Sequence, residues 1–193
     1  SVTATGTVKG TSGDGIFAEK TNYYSTTDLT IAAKDVSGGE NGIFARNYGR
    51  GAISVTASGS VTGETGRGIY AKNYNGDGSN LDVNVAAVTG ATDGIDARND
   101  GTGALSVTAS GQVTGTTGRG IYADNSGTDL SISAALVSGG RTGISAQNSG
   151  SGALSIRSTG EVTGDSDHGI SALNSGTSLT ITTAAVSGGL AGI

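Results

Sequence analysis

The chain has 193 residues, 36 of them glycine, with no proline, cysteine, methionine or tryptophan and a formal net charge of −5. Absent cysteine excludes disulfides and thiolate metal sites, and a pI near 4.6 argues against nucleic acid as partner, since phosphate binding needs a dense basic face. Abundant Val, Ile and Thr at this low net charge point away from disorder and toward an ordered, turn-rich β protein. No stretch approaches the ~18 apolar residues of a membrane helix, and membrane insertion by this segment is not expected.

In chain order, the dipeptide Gly-Ile recurs at Gly15-Ile16, Gly42-Ile43, Gly68-Ile69, Gly94-Ile95, Gly120-Ile121, Gly143-Ile144, Gly169-Ile170 and Gly192-Ile193. By subtraction the spacings are 27, 26, 26, 26, 23, 26 and 23 residues. A second anchor, mostly Val-Ser/Thr-Gly, follows it at Val8, Val36, Val61, Val88, Val113, Val137, Val162 and Val186. A fixed period in the twenties signals a solenoid, in which one repeat cannot bury its own apolar face but stacked repeats can.

Periodicity within the repeat is that of strands. Leu105, Val107 and Ala109 alternate with Ser106 and Thr108, and Ile121 and Ala123 flank an outward Tyr122. The expected fold is all-β: a right-handed parallel β-helix with three short strands per coil and about 7–8 coils of 23–27 residues. At about 4.8 Å per coil this makes a rod on the order of 35 Å long. The coils come in two alternating flavours, so the duplicated unit is expected to be a pair. Residues 1–193 read as a single segment of that fold, and the pattern is cut at both ends as if taken from a longer array. A leucine-rich repeat is excluded by its missing leucine signature, and a propeller by the short period.

A polar column follows each Ile-x-Ala strand at Asn47, Asn73, Asn99, Asn125, Asn148 and Asn174, with Lys20 in that place in the first coil. An amide both donates and accepts, so stacked asparagines are expected to form a structural hydrogen-bonded ladder.

The units Gly-Ile-x-Ala-x-Asn, Val-Thr-Gly and Gly-Ala-Leu-Ser-Val, which cover essentially the whole chain, resemble the passenger regions of bacterial autotransporters (type V secretion). That resemblance implies export through the outer membrane to the cell surface or medium, a C-terminal β-barrel elsewhere in the parent protein, and a role in adhesion, self-association or virulence.

Candidate chemistry is sparse. His168, the only histidine, lies in Asp165-Ser166-Asp167-His168-Gly169, and without matching carboxylates on neighbouring coils it reads as a solvated turn. Asp14 and Asp93 occupy equivalent turns three coils apart, too far for a shared calcium ion. Paired hydroxyls such as Ser54 and Thr56, Ser106 and Thr108, Ser131 and Ser133, and Thr180 and Thr182 would suit ice binding, but Asp82, Asn84, Ala32 and Arg157 interrupt the array. Neither catalysis nor a cofactor or metal is expected.

Aromatic residues are unevenly placed. Phe17, Phe44, Tyr70 and Tyr122 share the outward position between the Ile and Ala columns, with Asp96 breaking the stripe, while Tyr23, Tyr24, Tyr48 and Tyr74 lie in or near the adjoining turn. Arg46, Lys72 and Arg98 line up one position beyond the Ala column. Such a strip would either bind a glycan or host-surface protein or consist of rings that stabilise one another along the sheet. The function expected is a non-catalytic, surface-exposed or secreted adhesin-like module that adheres or self-associates, laterally or end to end. The alternatives are a fragment of a polysaccharide-processing β-helix and an ice- or surface-binding solenoid.

Overall fold

A computed structural model describes all of residues 1–193 and contains strands, turns and no helix. Long strands alternate with five-residue ones. The long set is β1 (Val2–Gly10), β3 (Leu29–Gly38), β5 (Ile53–Gly63), β7 (Leu81–Gly90), β9 (Leu105–Gly115), β11 (Leu130–Gly139), β13 (Leu154–Gly164) and β15 (Leu179–Gly188). The short set is β2 (Ile16–Lys20), β4 (Ile43–Asn47), β6 (Ile69–Asn73), β8 (Ile95–Asn99), β10 (Ile121–Asn125), β12 (Ile144–Asn148) and β14 (Ile170–Asn174). Each set makes its own parallel sheet, eight-stranded and seven-stranded, in which every strand pairs with its equivalent one coil away. The chain is a parallel β-solenoid of about seven turns, as its repeat requires.

Two of the three short strands expected in each coil run into one another as the long strand. The junction is a register shift, for example between Ala57/Ser60 of β5 and Val85/Ala87 of β7. The strands β5, β9 and β13 have 11 residues where β3, β7, β11 and β15 have 10, and the extra residue falls at this bulge. The bulge is one physical content of the two alternating flavours of coil.

A second difference lies in the turn before each long strand. Asp28, Asn80 and Asp129, all in even coils, accept a hydrogen bond from the backbone N–H of Ala52, Ala104 and Ala153 in the following odd coil, at 2.7–3.0 Å. The even coil thus supplies the acceptor and the odd coil a small residue that lets it approach, which makes the pair of coils the natural unit.

One core of 36 buried residues runs through the rod. It is built from the Leu/Ile-x-Val/Ile-x-Ala face of the long strands and from the Ile, Ala and Val columns. Like residues stack because the register carries Ile95 onto Ile69 and Ile121, and Ala97 onto Ala71 and Ala123. The Gly-Ile motif has a packing cause. A Cβ on Gly94 would sit 2.6 Å from the carbonyl oxygen of Gly120 and 2.7 Å from Cγ1 of Val113, and the same collision recurs one coil at a time along the column. The two sequence anchors are therefore one contact, with a valine methyl filling the space that a glycine leaves. Gly94→Ala is expected to destabilise the protein by about 1–3 kcal/mol, because main chain rather than a flexible side chain must move. Urea unfolding with tryptophan-free far-ultraviolet dichroism reads this directly.

Candidate functional site

The outer face of the seven-stranded sheet carries two parallel columns. One holds Phe17, Phe44, Tyr70, Asp96, Tyr122, Ser145 and Ser171. The other holds Glu19, Arg46, Lys72, Arg98, Asp124, Gln147 and Leu173, so that three cations in succession are bracketed by two acids. Every aromatic and basic residue expected on this face is brought together there, because the parallel register superposes equivalent positions about one strand spacing apart.

The rings pack on one another. Phe17 and Phe44 stack with centroids 5.4 Å apart, Phe44 and Tyr70 at 4.8 Å, and Tyr48 and Tyr74 at 4.6 Å. The hydroxyls of Tyr70 and Tyr74 join the two stacks at 3.1 Å. Tyr70 is consequently only 9% exposed although it points outward. The cations are engaged as well. Arg46 pairs with Glu19 and lies 4.8 Å over the Phe44 ring, and Lys72 lies 3.1 Å from Asp100 and 4.4 Å over Tyr74.

Asp96 interrupts the ring column, yet it anchors the face. Its carboxylate is completely buried and accepts two hydrogen bonds from Arg98, at 2.8 Å from Nε and 3.0 Å from Nη2. Arg67 Nε lies 2.9 Å from Asp96 Oδ2, with its N–H not aimed at that oxygen, and Arg67 covers the Tyr70 ring at 5.0 Å. Arg98 and Arg119 lie 4.8 and 4.3 Å from the Tyr122 ring centroid. The bidentate bond to Asp96 holds the Arg98 guanidinium above its ordinary pKa. Arg67 and Arg119 were not among the residues expected here. The signal was present, since Arg-Gly-Ile-Tyr-Ala occurs at both 67–71 and 119–123.

Burial pushes the Tyr70 phenol well above the ordinary tyrosine pKa, aided by the hydrogen bond with Tyr74 and by the charge of Asp96. Burial raises Tyr122 also. Above the unfolded value near pH 10 the folded state keeps protons that the unfolded chain has lost, so stability present below that pH declines as pH rises. Tyr70→Phe is expected to show a shallower loss of urea midpoint than the unsubstituted chain between about pH 9 and pH 11.

The asparagines form a continuous ladder. Nδ2 of Asn47, Asn73, Asn99, Asn125 and Asn148 each donates to Oδ1 of the next asparagine at 3.0–3.1 Å. The same amides cap the following turn, as when Asn99 donates to the Gly103 carbonyl at 3.1 Å and accepts from Gly101 N–H at 3.3 Å. These five asparagines are fully buried, and Asn174 closes the series by donating to Ser178 O at 2.8 Å. Lys20 stands outside the ladder and reaches Thr27 Oγ1 at 2.8 Å.

The other candidates sit elsewhere. His168 contacts its own neighbour Asp167, which Thr142 Oγ1 also approaches at 3.2 Å. Asp14 accepts from the backbone and side-chain amides of Asn41, and Asp93 accepts from the backbone N–H of Arg119, so both fasten adjacent turns. On the outer face of the eight-stranded sheet, Thr3, Thr5, Ala32, Lys34, Thr56 and Ser58 line an open groove of about 340 Å³.

The fold and this face define the class, a parallel β-solenoid with a self-paired aromatic and cationic flank. The chain matches no protein-family model, and no curated protein or solved structure matches it.

Proposed function

We propose that the chain is a non-catalytic, surface-exposed or secreted passenger module, adhesin-like, which adheres or self-associates through its outer faces. One observation carries this reading. The core and both parallel sheets run unbroken through the coils, and the asparagine ladder runs unbroken from Asn47 to Asn174. A molecule built this way is a stiff spacer whose turns can vary in length without disturbing the rod. The autotransporter resemblance adds to this export across the outer membrane of a bacterium, with host-surface protein or glycan as partner.

Surfaces coated with the folded chain are expected to retain cells above an uncoated control, or the chain to gain mass with concentration in light scattering. Absence of both effects would overturn the reading. Release of new reducing ends from a polysaccharide would favour the enzyme alternative, and thermal hysteresis would favour the ice-binding one.

A further inference from the structure

The rings of the strip are stacked on one another or, at Tyr122, covered by Arg98 and Arg119, and its cations are paired, but two tyrosines outside it are presented to solvent. Tyr23 and Tyr24 are 51% and 77% exposed, with ring centroids 5.5 Å apart and planes 83° to one another. They lie in the connection 21–28 between β2 and β3, which with 74–80 between β6 and β7 is longer than the other connections of its kind, such as 126–129.

Both long connections are tied down. Asn22 accepts from Tyr24 N–H through Oδ1 and from Ser25 N–H through its carbonyl, each at 3.1 Å. The buried amide of Asn75 crosses two coils, donating to the carbonyls of Tyr23 at 3.1 Å and Tyr48 at 3.2 Å. Arg50, from the turn between them, donates its backbone N–H to Ser25 O at 2.8 Å. Its guanidinium lies 3.3 Å from Asp77 and 5.9 Å from the centre of the Tyr24 ring. Hydrogen bonds therefore fix the backbone under two exposed rings, with an exposed acid–base pair beside them.

We propose that connections 21–28 and 74–80 form a binding site for neutral glycans, in which Tyr23 and Tyr24 stack on sugar C–H faces while Arg50 and Asp77 bind hydroxyls. The proposal rests on the adhesin reading above. Three features favour a neutral sugar. The rings give rigid apolar area at little entropic cost. Arg50 donates and Asp77 accepts, matching the paired hydroxyls of a sugar, and their charges cancel, so the site does not select an anion. Two rings and one ion pair also fall far short of the roughly 800 Å² per partner of a stable protein interface.

The test is surface plasmon resonance of the whole chain over immobilised cellohexaose, maltohexaose and chitohexaose, with sialyllactose and a heparin fragment as anionic probes. Binding to at least one neutral probe is expected. The double variant Tyr23→Ala/Tyr24→Ala is expected to lose tenfold or more of that affinity with an unchanged melting temperature. Phe17→Ala, exposed but outside the site, is expected to bind as before. If the double variant melts early, Asp77→Asn decides, since it keeps the shape of an exposed residue and is expected to weaken binding several-fold. The proposal is overturned if no neutral probe binds, if only anionic probes bind, or if neither variant changes the affinity. Cell retention that survives the double variant would sink this site and leave the adhesin reading standing. Absence of both cell retention and concentration-dependent mass gain for the unsubstituted chain would sink that reading instead.

Discussion

Asn99→Ala is expected to lower the unfolding free energy by about 3–5 kcal/mol, measured by urea denaturation, the largest effect of any single truncation outside the core. The amide of Asn99 accepts from Asn73 Nδ2 and Gly101 N–H and donates to Asn125 Oδ1 and the Gly103 carbonyl. Asn73, Asn99 and Asn125 are all fully buried. Alanine leaves these partners without the amide in a place water cannot easily reach, and each buried orphan costs about 1–3 kcal/mol. The partners retain some alternative bonds, since Asn73 Nδ2 still reaches Asn80 O at 3.1 Å, so the full sum is not expected. Asn99→Asp is expected to be worse than alanine at neutral pH. It sets a carboxylate oxygen against the Asn125 and Gly103 acceptors and buries a charge. Burial would raise the folded pKa of that aspartate, so its penalty is relieved as pH falls and the group protonates. A midpoint for Asn99→Asp that is insensitive to acid would contradict a ladder built on donation by Nδ2.

Asp96→Ala is the second large effect, expected at about 2–4 kcal/mol in the same measurement. Removing the carboxylate leaves Arg98 and Arg67 without their shared anion beside Tyr70 and Tyr122. Breaking a fully buried pair costs about 3–5 kcal/mol, and the lower figure follows because both arginine side chains are about one-third exposed (32% and 34%) and can turn toward water. Asp96→Phe is expected to cost less than Asp96→Ala. A ring at that register would lie between Tyr70 and Tyr122 and continue the stack, with the guanidiniums over aromatic faces. The comparison separates an ion anchor from a defect in an aromatic stripe. If Phe proves as costly as Ala, the carboxylate is needed for its charge and not for the space it fills.

The self-paired flank shifts where binding should be sought. Tyr70, Lys72 and Arg98 of the columns are engaged by Tyr74, Asp100 and Asp96, whereas Phe17 at the end of its column and Tyr23 and Tyr24 in the turn remain exposed. A column in sequence reports that residues will be neighbours. Whether they then face a ligand depends on what else reaches them, and here Arg67, Arg119, Asp96 and Asp100 reach them first.

The repeat in the sequence determined the stacked parallel strands, the inward Ile, Ala and Val columns and the position of the asparagines. Period and alternation specify which residues superpose, and superposition in a parallel register leaves few other ways to bury them. The pairing of coils was legible too, but not the bonds from Ala52, Ala104 and Ala153 N–H to Asp28, Asn80 and Asp129, which need the turns of neighbouring coils brought together. Only the tertiary structure decided that two of the expected strands join through a bulge and that Asp96 is an anchor for two arginines. It alone decided that Asn75 fastens a tyrosine loop 52 residues away. Those outcomes turn on side-chain reach between coils and on the lengths of irregular turns, for which a repeat carries no periodic signal.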